Sequence, residues 1–284
     1  MRTVARNLAF LLIAFLVSAC VTAAVIPPSH EREWEPSVSR LPTVRWISDD
    51  VFAMSNIRDW QWGEDGATRR RWHQRRYDLR DTRAIWFFVE PFPYGRSLAH
   101  TFITFELGRG ARREFLTVSV EARKEVGETY SPVRGLFSAY ELIFVWSTEK
   151  DILTDTIIRL GHEVRAYKVN VTPDQARIIL RGFLRRTNEI AASPEYYDTL
   201  ENNCTSELAA VVNREFDMPI PRHSSYVLTG TAARYLHSLG YIVDPSESYA
   251  EVDARADIGG PVRRFGHLGE RRFSIAWRRV VEGR

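Results

Sequence analysis

The chain reads as an α+β fold, an antiparallel sheet packed against helices, and two observations predict it. Five short β-branched and aromatic runs come first: AIWFFVEPF, AHTFITFEL, EFLTVSVEA, ELIFVWSTE and EVRAYKVNV, separated by turn residues. Helix-patterned segments follow from Thr172 onward. Strands first and helices afterwards is the order of an α+β domain, and the short connections make the strands an antiparallel meander. The 284 residues, 44% of them hydrophobic, supply one good-sized core.

The chain opens on an address. Arg2 and Arg6 precede an uncharged run from Leu8 to Ile26. As a helix that run would span roughly 28 Å, about one hydrocarbon core. Three readings stand open: an uncleaved signal anchor over residues 8–26, a lipoprotein signal in which Val17-Ser18-Ala19-Cys20 forms the lipobox and Cys20 is lipidated, or a plain cleaved signal. Each places residues 27–284 outside the cytoplasm, in the bacterial envelope. Pro27, Pro28 and the acidic stretch Glu31–Glu35 read as a linker over residues 27–44, with the folded domain over 45–284.

From Arg58 to Arg80 the chain is dense in Trp and Arg, and Arg69, Arg70, Arg71, Arg75, Arg76 and Arg80 read as a loop or short helix. A solvated basic face explains them most simply, and a contact to phosphate or lipid headgroups is the functional alternative. In the strand region, Gly108 and Gly110 mark the turn between the second and third runs. In the helical region, Thr172-Pro173-Asp174-Gln175 is a helix start with a capping Thr, Pro in the first turn and a Gln placed to close a capping box. Ala176, Ile179, Leu180, Phe183 and Leu184 then recur at helical spacing. Ser193-Pro194 ends that helix. A second helix begins near Cys204, and a third, from about Thr231, stops at Gly240.

The formal charge of +3, from 39 basic and 36 acidic residues, gives no electrostatic case for nucleic acid. There is no HExxH, CxxC or Gly-rich phosphate loop, so neither metal nor cofactor is indicated, and no GxSxG elbow marks a serine hydrolase. The two cysteines are Cys20, in the apolar run, and Cys204. A disulfide framework is therefore not expected, and an exported chain that keeps a single thiol needs a reason to keep it.

Cys204 supplies one. Asn202 and Asn203 are good helix caps, which puts Cys204 in the first helical turn, where free amides and the helix dipole stabilise a thiolate. A small buried cysteine is the bland alternative. A thiol nucleophile needs a base. His100 stands in an apolar strand, where an imidazole without a partner would be costly. If Leu107 faces Glu114 across the glycine turn, His100 faces Glu121; a shift of two residues makes the partner Ser119. Either can orient the imidazole as the third member of a triad does. Arg123, Tyr130 and Tyr140 are further candidate neighbours, for which folding roles serve equally well.

The segments LAHTFITFEL, TVSVEARKEVGETYSPVRGLFSAYELIFVW and YYDTLENNCTSEL resemble the Lnb N-terminal periplasmic domain family, and the resemblance extends over roughly residues 45–270, including the late DARADI segment. That family is similar to the circularly permuted NlpC-type, papain-like superfamily. There the histidine strand precedes the cysteine helix, and the third residue lies on the strand after the histidine. The resemblance implies that core, with His100, Glu121 or Ser119, and Cys204 as its site. It also implies acyl transfer through a thioester with membrane lipid or lipoprotein as substrate, by analogy with members implicated in lipoprotein N-acylation. Many relatives carry several membrane spans, where this chain has one apolar segment. A cell-wall peptidase or amidase of the same fold, a non-catalytic envelope scaffold and a lipid-binding surface module are the rival expectations.

Overall fold

The computed structural model describes residues 26–93, 95–216 and 220–283. The expected apolar span over residues 8–26 therefore lies almost wholly outside the described residues. Among the described residues, no helix is long and apolar enough to cross a membrane.

A nine-stranded sheet organises the domain. In chain order the strands are β1 (Thr43–Trp46), β2 (Val51–Arg58), β3 (Gln61–Gly63), β4 (Gly66–Arg69), β5 (Trp72–Asp78), β6 (Thr82–Phe92), β7 (Gly95–Leu107), β8 (Glu114–Arg123), β9 (Tyr140–Thr148), β10 (Arg165–Lys168) and β11 (Tyr196–Tyr197). The sheet runs β1-β2-β9-β8-β7-β6-β10, with β5 on β2 and β11 on β9, while β3 and β4 form a separate hairpin. Strands β6 to β9 are the expected antiparallel meander. The fifth run departs from it: β10 returns to pair with β6, Arg165 opposite Val89. A helical crossover makes this possible, consisting of α2 (Glu149–Leu153, after the short α1 at Pro132–Gly135) and a π-helical turn over Thr154–Arg159. Strand β2 then borders β9 through a single parallel pair, Arg58 and Ser147.

Helices cover both faces of the sheet. After α2 come α3 (Pro173–Ala192), α4 (Cys204–Glu215), α5 (Ala232–Ser238), α6 (Tyr249–Ala254), α7 (Gly259–Phe265) and α8 (Glu270–Val281). Side chains alternate along a strand. Thus Ile85, Phe87 and Val89 of β6 pack into a core with Ile179 and Phe183 of α3 and Leu208 of α4. Trp86 and Phe88 point the other way, against Phe273 and Trp277 of α8. Burial on both sides is why β6 and β9 read as continuous apolar runs rather than alternating ones. Helix α3 starts as its sequence predicts: Thr172 accepts from Gln175 N, the Gln175 side chain accepts from Thr172 N, and Pro173 sits in the first turn.

Two expectations are corrected. Of the six arginines expected in a loop or short helix, Arg69 lies on β4 and Arg75 and Arg76 on β5, whereas Arg70 and Arg71 form the connection between those strands and Arg80 sits in a single helical turn over Leu79–Asp81. Strand β5 pairs along β2 with Phe52 opposite Tyr77, and its arginines point outward or find acids, as Arg75 does with Glu270 through two 2.7 Å hydrogen bonds. Ladder pairing and the buried Tyr77 outweigh a composition that looks solvated. The residues expected to be a linker are packed: the Arg123 guanidinium lies 4.1 Å from the Trp34 ring and donates to the carbonyls of Val38 and Ser39.

Candidate active site

The site begins at the start of α4. Asn203, in an extended conformation, caps the helix: its Oδ1 accepts from the amides of Thr205 (2.8 Å) and Ser206 (3.0 Å), and Ser206 Oγ accepts from Asn203 N (2.9 Å). Its Nδ2 donates to the carbonyls of Thr199 (2.8 Å) and Tyr226 (2.7 Å). The cap is thus tied to two flanking loops as well as to its helix. Cys204 is the first helical residue and is buried at 5% exposure. The first amides of a helix have no intrahelical acceptor, and the cap uses those of Thr205 and Ser206, so the amide of Cys204 stays available at the positive end of the dipole.

His100 comes from β7. The register between β7 and β8 runs from Leu107 opposite Glu114 to Phe102 opposite Ser119. Two residues further it brings His100 opposite Glu121. Both sequence candidates for the third position therefore stand beside the imidazole. His100 Nε2 lies 2.6 Å from Ser119 Oγ and 3.1 Å from Glu121 Oε1, and Ser119 Oγ donates to Glu121 Oε1 at 2.6 Å. These contacts assign the tautomer. The Ser119 proton is committed to Glu121, so the Ser119 oxygen can only accept from His100, and Nε2 must carry the hydrogen. In the neutral ring the basic lone pair is then on Nδ1. Phe102 stacks on the imidazole, with ring centroids 5.8 Å apart.

The electrostatics favour a thiolate–imidazolium pair. Burial pushes the Cys204 thiol up, but hydrogen bonding and charge from His100, with hydrogen bonds from the amide and hydroxyl of Thr101, bring it below its ordinary value. Burial pushes His100 down, but the Glu121 charge and the bonds to Cys204 and Glu121 raise it well above its ordinary value. Burial opposes ionisation of Glu121, and the charge and hydrogen bond of His100, then Ser119, outweigh it and hold the carboxyl at about 2. Opposite charges in close contact each favour the partner's charged form.

A cleft of about 550 Å³ opens onto these groups, with His100, Glu121, Asn203 and Cys204 in its wall. Tyr130 lies in that wall, its hydroxyl 3.4 Å from that of Tyr197. Arg123 and Tyr140 do not line it. Arg123 clamps the chain start as described, and Tyr140 fixes a loop by donating to the Thr129 carbonyl and accepting from Ser131 N.

Several contributors carried no local signal in the sequence. Thr101 and Thr205 bond to each other at 2.9 Å and tie β7 to the start of α4. Thr229 Oγ1 accepts from Ala99 N and donates to Ala99 O, pinning the strand beside His100. Across the cleft, the buried Arg58–Asp151 pair holds the Trp60 amide and the Trp62 indole, which build the far wall. Among the described residues, no group of three or more His, Cys, Asp or Glu is arranged to hold a metal ion. What the arrangement can do is bring a polarised thiol, an oriented base and a free helix-start amide to one point in a cleft, the combination that nucleophilic attack on a carbonyl requires.

The family model described as the Lnb N-terminal periplasmic domain matches residues 68–223, more than half of the chain and the part that carries His100, Ser119, Glu121 and Cys204. No curated protein and no solved structure matches.

Proposed function

The chain belongs to the Lnb N-terminal periplasmic domain family, a family of the bacterial envelope, and from that premise we propose that it is a Cys–His acyltransferase or hydrolase acting on lipid or lipoprotein acyl groups through a Cys204 thioester. One arrangement carries the reading: a thiol at a helix start lines the same cleft as an imidazole whose Nε2 is held by Ser119 and Glu121. The order of histidine strand before cysteine helix supports a core of the permuted papain-like type.

The steps follow from the geometry. The Cys204 thiolate attacks the ester or amide carbonyl, and the carbonyl oxygen takes the negative charge against the Cys204 amide. The tetrahedral adduct collapses, the bond to the leaving alcohol or amine breaks, and the His100 imidazolium gives that group its proton. The acyl group is now a thioester on Cys204. An acceptor amine, or water, attacks it; His100 takes the proton from the attacker, and the sulfur leaves as thiolate. Glu121 stays ionised throughout and steadies the imidazolium through Ser119.

The test is direct. The full chain is incubated with phospholipid, and the mass of the peptide holding Cys204 is measured for the wild type, Cys204→Ser and Cys204→Ala. The expected result is an acyl thioester on the wild type, none on the alanine variant, and loss of lipoprotein acylation in both variants. An unmodified wild-type peptide, together with full acylation by Cys204→Ala, removes the proposal. Cleavage of peptidoglycan peptides with indifference to lipid would instead identify a cell-wall peptidase.

A further inference from the structure

We propose that the mouth of the Cys204 cleft is a membrane-docking face that seats the site on a bilayer surface carrying anionic lipid. This rests on the reading above only for its purpose; three structural observations carry it.

The first is where the exposed apolar side chains are. Leu160 and Val227 line the cleft and are 45% and 39% exposed. Val133 and Leu136 are exposed on and just after α1, whose Pro132 lines the cleft, and Val133 is 62% exposed. Leu200 follows the lining residue Thr199, and Leu228 follows Val227; both are exposed. Single exposed apolar residues are ordinary, but here two line the opening and four more lie within four chain positions of a lining residue, so the exposed apolar side chains concentrate near it.

The second is charge. Arg70 and Lys124 also line the cleft, and among the described residues neither makes an ion pair. Arg70 lies over the Trp60 ring at 5.1 Å, beside Trp62. The wall also holds Glu35, which likewise makes no ion pair among the described residues, so the cationic contribution to docking is Arg70 beside the Trp60 and Trp62 indoles, with Lys124 next to an acid-bearing segment.

The third is where the chain enters the domain. The Tyr196 hydroxyl donates to the Ile26 carbonyl. Tyr196 is on β11, the next residue Tyr197 lines the cleft, and Leu200 stands three positions further on. From there the chain runs back to Glu35–Val38, which also line the cleft. Ile26 is the last residue of the uncharged run that begins at Leu8. Were that run a membrane segment, it would join the domain beside Tyr196, one residue from the cleft wall at Tyr197. Tether and cleft mouth would share one plane, and the cleft would open into the headgroup layer, where acyl esters lie. A protein partner would satisfy the first observation but not the third.

The full chain is reconstituted in nanodiscs of phosphatidylcholine and phosphatidylglycerol that contain a phospholipid with a photoreactive acyl chain, and the crosslinks are mapped. Crosslinks should fall on the peptides holding Val133–Leu136, Leu160, Leu200 and Val227–Leu228. Crosslinks confined to residues 1–26, or on remote residues such as Trp46 and Val280, would overturn the proposal. Omitting phosphatidylglycerol should lower the yield at the mouth about threefold; an unchanged yield removes Arg70 from it. Val133→Asp with Leu228→Asp should lower that yield about tenfold while Cys204 is alkylated by iodoacetamide in detergent at the wild-type rate; an unchanged yield would contradict the proposal. The two readings fail separately. Crosslinks at the mouth with no thioester would retain docking and sink the catalysis; a thioester formed in detergent with no crosslinks at the mouth would do the reverse.

Discussion

Two histidine–glutamate pairs are held to this sheet through Glu90 and Glu121, and only one of their imidazoles shares the cleft wall with a thiol. His162 Nδ1 lies 2.6 Å from Glu90 Oε1. His100 Nε2 lies 3.1 Å from Glu121 Oε1, with Ser119 bonded to both. Glu90 is directly opposite His100 in the ladder between β6 and β7, so the pairs are neighbours. Both imidazoles are raised above their ordinary value: His162 first by its hydrogen bond to Glu90, His100 by Glu121 and Cys204 against a strong opposing burial. A raised imidazole is therefore common to both and marks no site by itself. The differences are the ring nitrogen that is held, the stacking on Phe102, and above all the helix start that presents Cys204 to His100.

The comparison can be broken by substitution. The largest effect belongs to His100→Ala, which removes the base and the counter-charge. Acyl transfer should fall on the order of 10²–10⁴-fold, as for other positioned acid–base groups. Glu121→Gln comes next. It keeps the shape but leaves the imidazolium without a carboxylate, and kcat should fall roughly a hundredfold, the scale of a misoriented catalytic group. Equal KM in both forms would show that the loss lies in chemistry rather than in binding. His162→Gln is the smallest, with activity within about twofold. Its effect is on stability, with a defined sign. A raised folded value stabilises below the unfolded value of 6.5 and loses that contribution as pH rises through the folded value. The melting gap between wild type and His162→Gln should therefore narrow from pH 6 to pH 9. A loss of activity in His162→Gln as deep as that of His100→Ala would erase the distinction.

The geometry of His100, Ser119, Glu121 and Cys204 was legible in the chain because each rests on a local rule. The turn at Gly108 sets the register: its φ is +76°, and an added Cβ would meet the Arg112 carbonyl oxygen at 2.5 Å, so only glycine fits there. Counting back from Leu107 and Glu114 then places His100 opposite Glu121. Asn203 before Cys204 is a cap by residue type alone. The rest depends on contacts between distant segments. Thr229 reaches Ala99 across 130 positions and Asp151 reaches Arg58 across 93, and neither leaves a period or motif in the sequence. The Arg-rich strands were missed because composition points to solvent, whereas pairing with β2 and the buried Tyr77 decide the outcome. The two edges of the sheet were illegible for a related reason. Only the length of the crossover through α2 lets β10 reach β6, and nothing in either strand names its partner.

The claim at the centre is that Cys204 rests as a thiolate because His100 is protonated beside it. The rate of Cys204 alkylation by iodoacetamide against pH tests this most directly, in the wild type and in His100→Ala. The wild-type profile should titrate below the ordinary thiol value of 9.0, and His100→Ala should shift the midpoint upward, because burial then acts unopposed by the imidazolium. A wild-type midpoint at or above 9.0, unmoved by the substitution, would contradict the account.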